Sequence, residues 1–184
     1  MGSEVWNYIR SDMTEPLEYL SGAVLAGLIS LIPAALLLFR KEKKRAAIFS
    51  LFEIYLIVAL ELVFFSRPPG SRTSVNMEIL GTWGHGAQGN AYVIENIIMF
   101  VPWGVLLPLL AGQFRKAWFC TFTAFLASCS LEALQYLTQR GHCQLDDVLM
   151  NTLGAFAGWC VVRLFSKGWA SRRKLSLPLK MRGK

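Results

Sequence analysis

The sequence predicts an all-α, polytopic membrane protein whose five transmembrane helices form one bundle. Three observations predict it. Of 184 residues 54% are hydrophobic and only 17% are charged, where an ordinary soluble domain carries about a quarter charged. The mean hydropathy is +0.41, and a small soluble domain leaves too much surface in water to hide that much apolar side chain. The apolar residues are gathered into five runs, each near the roughly 20 residues that cross a bilayer as a helix. The same composition excludes disorder, and four Cys argue against a disulfide scaffold.

The first span is expected over about residues 17–39, where one acid, Glu18, lies at the edge. Residues 1–16 form a short extracytoplasmic segment. They carry Glu4, Asp12 and Glu15 against Arg10, which is not the basic leader of a cleavable signal peptide. A basic run from Arg40 to Arg45 separates this span from the second, 46–65. A long polar, Gly-rich stretch from Ser66 to about Ala91 follows. It is a candidate lid, with room for a short re-entrant or interfacial helix. The third span, 92–111, contains Pro102 and Pro108, which are expected to kink it. The fourth covers 117–138, a short polar loop runs from Gln139 to Asp147, and the fifth covers 148–165. Residues 17–165 are thus one membrane domain, and 166–184 a basic tail.

Five spans put the termini on opposite sides. All but four of the 19 Lys and Arg fall on the side holding residues 40–45, 113–116 and 163 onward; Arg10, Arg67, Arg72 and Arg140 are the exceptions. The positive-inside rule therefore predicts an external N-terminus and a cytoplasmic C-terminus. The net charge of +7 then orients the chain and attracts anionic headgroups. No nucleic-acid motif accompanies it, so membrane lipids and not nucleic acid are the expected partners.

Acids within the spans need a reason, since a charge at mid-bilayer costs about 2.5–3.5 kcal/mol on insertion scales. In this orientation Glu61, Glu95, Asn96, Glu132, Gln135, Asp146, Asp147 and Asn151 all lie toward the outer leaflet, with Arg67 and Arg140 at adjoining helix ends. Only Glu53 lies deeper. Glu132, Gln135 and Gln139 share one helical face, as do Asp147, Asn151, Gly154 and Gly158. The glycines let helices approach closely. These faces are expected to point inward and form a polar pocket open to the exterior. The plain alternative is a set of buried ion pairs, such as Arg140 or Arg67 with Glu132 or Asp147, that only fixes helix order.

Three segments carry a family pattern. Tyr92 to Gly104 contains Asn96, Phe100, Pro102 and Gly104 in the spacing N-x-x-x-F-x-P-x-G. Ser130 to Gln135 gives E-x-x-Q through Glu132 and Gln135. Arg140 followed by Asp146, Asp147, Asn151 and Gly154 gives R…D-D-x-x-x-N-x-x-G. Together they resemble the VanZ-like family over about residues 46–165. The resemblance implies a bacterial plasma-membrane protein, similar to determinants of resistance to teicoplanin and other lipid-bearing glycopeptides. It implies a phenotype and no reaction.

Three functions remain open on the residues. One is a binding or shielding protein for an envelope amphiphile, a lipid-linked wall precursor or a lipoglycopeptide antibiotic. Arg67 and Arg140 would hold phosphate or carboxylate, with Asn96, Gln135 and Asn151 as donors and Glu95, Glu132, Asp146 and Asp147 lining the site. A second is an intramembrane enzyme acting on such a lipid. Glu132 and Asp147 are then candidate acid and base, Glu95 is a further candidate, and Asp146, Asp147 and Glu95 are candidate ligands for a divalent cation. His142 is a weaker candidate acid. The third is a small transporter or flippase, which rests on Glu53 alone. No cofactor is otherwise indicated.

Overall fold

A computed structural model describes residues 2–12, 14–38, 42–65, 67–68, 70, 74–79, 81–84 and 86–175, with backbone only at 15–16, 37–38 and 166–175. Arg40, Lys41, Arg72, His85 and residues 176–184 of the basic tail lie outside what is described. Six α-helices are present among the described residues: α1 (Gly2–Asp12), α2 (Glu15–Pro33), α3 (Lys43–Leu60), α4 (Ala87–Leu110), α5 (Ala117–Thr138) and α6 (Leu145–Leu175). Five of these helices, α2 to α6, supply stretches long and apolar enough to cross a membrane. The predicted all-α membrane class is therefore the observed one.

Helix boundaries follow local chemistry. Residues 2–12, read from sequence only as a short segment, form α1, whose Ile9 is buried and which packs against α4. Pro33 closes α2. It has no N–H to give the carbonyl four residues back, and the chain continues through one π-helical turn, Ala34–Leu38. α3 begins earlier than its apolar run because Lys43, Lys44 and Arg45 belong to its first turn. Cations there oppose the helix dipole. Glu42 offsets this at the N-cap, where its carbonyl takes the N–H of Arg45 at 2.8 Å and its carboxylate pairs with Arg45 Nε at 2.8 Å. A second π-helical turn, Glu61–Phe65, ends this span.

α4 also starts early, at Ala87. Gly86 enters it at φ +106°, and Asn90 Oδ1 turns back to accept from the Gly84 N–H at 2.7 Å. The helix runs unbroken through Pro102 and Pro108. α5 has the bounds read from sequence. It stops at Gln139, which is left-handed at φ 54°, and the Arg140 N–H closes the end on the Gln135 carbonyl at 2.9 Å. α6 starts at Leu145, with Asp146 and Asp147 in the first turn, where the dipole favours anions.

The most extensive packing is between α4 and α6. It is a backbone-to-backbone contact. A Cβ at Gly104 would lie 1.9 Å from the Ala155 carbonyl oxygen, one at Gly154 2.1 Å from that of Ile97, and one at Gly158 2.2 Å from that of Val101. The close approach expected of Gly154 and Gly158 is what the structure shows. Beside this seam Phe100, Ala124 and Ala155 are buried, with Met99, Trp103, Ala127 and Leu131 packed on them. α2 stands apart from this core and packs mainly on α3, where Gly27 faces Ile54 and the Ser50 carbonyl.

Candidate functional site

Helix alternation brings the ends of α3 and α5 and the starts of α4 and α6 to one end of the bundle. The site is built there in two layers and a cover.

The first layer closes the end of α3. A π-helical turn leaves carbonyls without their usual donors, and two α5-side residues supply them. Gln135, 2% exposed, donates from Nε2 to the Val63 carbonyl at 2.9 Å. Arg140 Nη1 donates to the carbonyls of Phe64 at 3.2 Å and Arg67 at 3.0 Å. Its guanidinium also sits 5.1 Å from the centroid of the Phe64 ring. A cation at a helix C-terminus is the favourable arrangement. The left-handed Gln139 is what swings Arg140 across to α3. These two residues thus direct their donors at protein carbonyls, a use that sequence reasoning missed. The π-turn that creates the need has no sequence signature.

The second layer holds the carboxylates. Asp147 Oδ1 accepts from Asn96 Nδ2 at 2.7 Å, which joins α6 to α4. Glu132, 5% exposed, accepts at Oε2 from the Gln144 backbone N–H at 2.9 Å. The two carboxylates are close enough to repel one another, and the Arg67 guanidinium lies close enough to attract both. Gly141 leaves the space between Gln135 and Arg67: a Cβ there would meet Gln135 Cδ at 2.9 Å and Arg67 Nη1 at 3.2 Å. One turn deeper, Asn151 Nδ2 donates to Ser128 Oγ at 2.8 Å, and both residues are buried. Ser128 was missed from sequence. It is four residues before Glu132 on the same helical face, so extending that face would have found it. Glu95 is half-buried on α4 beside Asn96.

The cover comes from the loop after α3. Val75 and Asn76 (β1) pair in parallel with Cys143 and Gln144 (β2). The Cys143 N–H donates to the Ser74 carbonyl at 3.0 Å, and Ser74 Oγ meets His142 Nδ1 at 2.5 Å. Further on, the Thr82 N–H donates to Asp146 Oδ2 at 2.9 Å, and Thr82 Oγ1 donates to Gln144 Oε1 at 3.2 Å. Among its described residues this loop is a strand pair and a clasp; the short helix allowed for there is not found. Asp146, 2% exposed, takes this loop contact.

The structure therefore brings Arg67, Asn96, Glu132, Asp146, Asp147 and Asn151 to one place, with Gln135 and Arg140 as its frame. Glu53 is elsewhere. It accepts a short hydrogen bond from Ser30 Oγ, itself 3.5 Å from Ser50 Oγ, and so binds α2 to α3. Among the described residues no group of three His, Cys, Asp or Glu is placed to hold a metal ion, so the divalent-cation alternative through Asp146, Asp147 and Glu95 finds no ligand set there.

The family model described as VanZ/LLP1 matches residues 52–166. The chain is 30% identical over 122 residues to Protein VanZ of Enterococcus faecium, an alignment covering 64% of this chain and 74% of that protein. No solved structure matches. The chain belongs to the VanZ/LLP1 family, and the matched segment contains every residue of the two layers and the cover.

Proposed function

We propose that this member of the VanZ/LLP1 family binds an amphiphile of the cell envelope at the layered polar site and thereby lowers susceptibility to teicoplanin and related lipid-bearing glycopeptides. The amphiphile is a lipid-linked wall precursor or the lipoglycopeptide itself. One observation carries the reading: carboxylates and amides from α4, α5 and α6 meet beneath a clasped loop at the end of an otherwise apolar bundle. Ionisable groups kept within membrane helices mark functional sites by default. The charge asymmetry of the chain supports placing this end outside, with the N-terminus external and the C-terminus cytoplasmic, at the depth where an envelope lipid presents its headgroup. The apolar flanks of α4 and α6 would accept an acyl chain beside it.

The test is susceptibility. Expression of the intact chain in a teicoplanin-susceptible bacterial host raises the inhibitory concentration of teicoplanin, and Asp147→Asn and Glu132→Gln forms inserted at equal level do not. Equal susceptibility with and without the intact chain would refute the proposal.

A further inference from the structure

An inventory of donors and acceptors at the site goes further than its location. The donors point inward at protein atoms. Arg140 serves the Phe64 and Arg67 carbonyls, Gln135 the Val63 carbonyl, Asn96 the Asp147 carboxylate and Asn151 the Ser128 hydroxyl. What is left over is acceptor capacity. Glu132 Oε1 and Asp147 Oδ2 receive no hydrogen bond from the described residues, whose bonds reach only the other oxygen of each carboxylate. Asn151 Oδ1, on a side chain 3% exposed and one turn below Asp147, is buried and has no donor among the described residues. A buried acceptor without a donor is costly, and this one lies beneath two carboxylates that also have oxygens to spare. Charge runs the same way. Among the described residues, Asp147 and Glu132 share the attraction of the Arg67 guanidinium.

We propose that the group this site takes is a primary ammonium, which offers three donors and one positive charge, and that phosphate is not the recognised group. The ammonium would meet Asp147 Oδ2 and Glu132 Oε1, with its amphiphile's acyl part against the apolar flank. The inference rests on the amphiphile-binding reading and names its ligand class. It reverses the expectation that Arg67 and Arg140 grip an anion, because Arg140 is engaged with carbonyls and Arg67 is outnumbered by carboxylates. Two sources carry this chemistry, the headgroup of an aminated lipid and the amino groups of a lipoglycopeptide.

The test uses the full chain in detergent micelles, with dissociation constants read by thermophoresis. The probes are short-chain phosphatidylethanolamine, its N-acetylated form, phosphatidylglycerol of the same acyl length, teicoplanin and N-acetylated teicoplanin. The expected result is saturable binding of at least one amine, about tenfold or more tighter than its acetylated form and than phosphatidylglycerol. Which amine wins identifies lipid or antibiotic. Asp147→Asn and Glu132→Gln, each checked for unchanged melting, should cut that preference by about tenfold; an undiminished preference in both overturns the assignment. Phosphatidylglycerol or an acetylated probe binding as tightly as the amines overturns the ammonium and leaves the amphiphile reading standing. No saturable binding of any probe overturns both.

Discussion

Gly154→Ala tests the seam on which the site depends. The added Cβ would sit 2.1 Å from the Ile97 carbonyl oxygen and 2.9 Å from its carbon. Ordinary contact begins near 3.4 Å, so α4 and α6 must part by about 1.3 Å. Overpacking of this kind costs about 1–3 kcal/mol. The upper half applies here, because the obstacle is backbone and no side chain can rotate away. At about 2–4 °C per kcal/mol for a chain of this size, melting should fall by about 4–12 °C. The same separation acts on the site, since Asn96 and Asp147 are on the two helices being parted. Their 2.7 Å contact would lengthen toward 4 Å, beyond a hydrogen bond. The assay is thermal unfolding of purified protein in detergent, followed by thiol labelling of buried Cys120, beside a susceptibility measurement. Gly22→Ala is the control: no atom lies within 4 Å of its Cβ position on α2, and Ala should hold or raise stability by up to about 1 kcal/mol. A Gly154→Ala protein that melts with the parent and keeps its phenotype would refute the argument.

Three further outcomes are expected. Arg140→Met removes both bonds to the end of α3 and should destabilise by about 1.5–3 kcal/mol, with Arg140→Lys recovering part of it; unchanged melting in Arg140→Met would show that the carbonyls find other donors. Asp146→Ala should loosen the clasp at Thr82, read as roughly tenfold faster amide exchange at residues 81–84, and protection equal to the parent would remove the clasp. Burial first, then the nearby Glu132 and Asp147 charges, hold the Cys143 thiol above the ordinary range. In a form with the other cysteines replaced, its alkylation should therefore rise with pH at a higher midpoint than that of a free thiol, because only the thiolate reacts. A midpoint at or below the free value contradicts this.

Much of the architecture was legible because lipid imposes simple rules. Five apolar runs became five helices, and the i, i+4 spacing of Asp147 and Asn151 and of Gly154 and Gly158 placed polar and small faces correctly. Contact across helices was less legible. Nothing in Glu61–Phe65 announces a π-helical turn, so the carbonyls that engage Gln135 and Arg140 were invisible, and both side chains looked available to a ligand. The clasp was hidden for a related reason. Two of its bonds start from the backbone N–H groups of Thr82 and Cys143, which every residue type but proline has. Glu53 read as a deep functional acid because its partner, Ser30, lies on a helix whose register against α3 the sequence does not fix. The helix α1 was missed because its eleven residues are too few and on average too polar to register as an apolar run.

The two-residue ladder between Val75 and Cys143 has a bearing on biogenesis. It joins points nearly seventy residues apart, with two whole crossings of the bilayer between them. Synthesis must deliver α4 and α5 to the membrane before Cys143 exists to be paired, so the cover is among the last parts to form. Closure of this small ladder is thus a readout of complete insertion: a chain arrested earlier would lack Asp146 and Asp147 as well as the roof, and a misthreaded one would carry its acids with no roof over them.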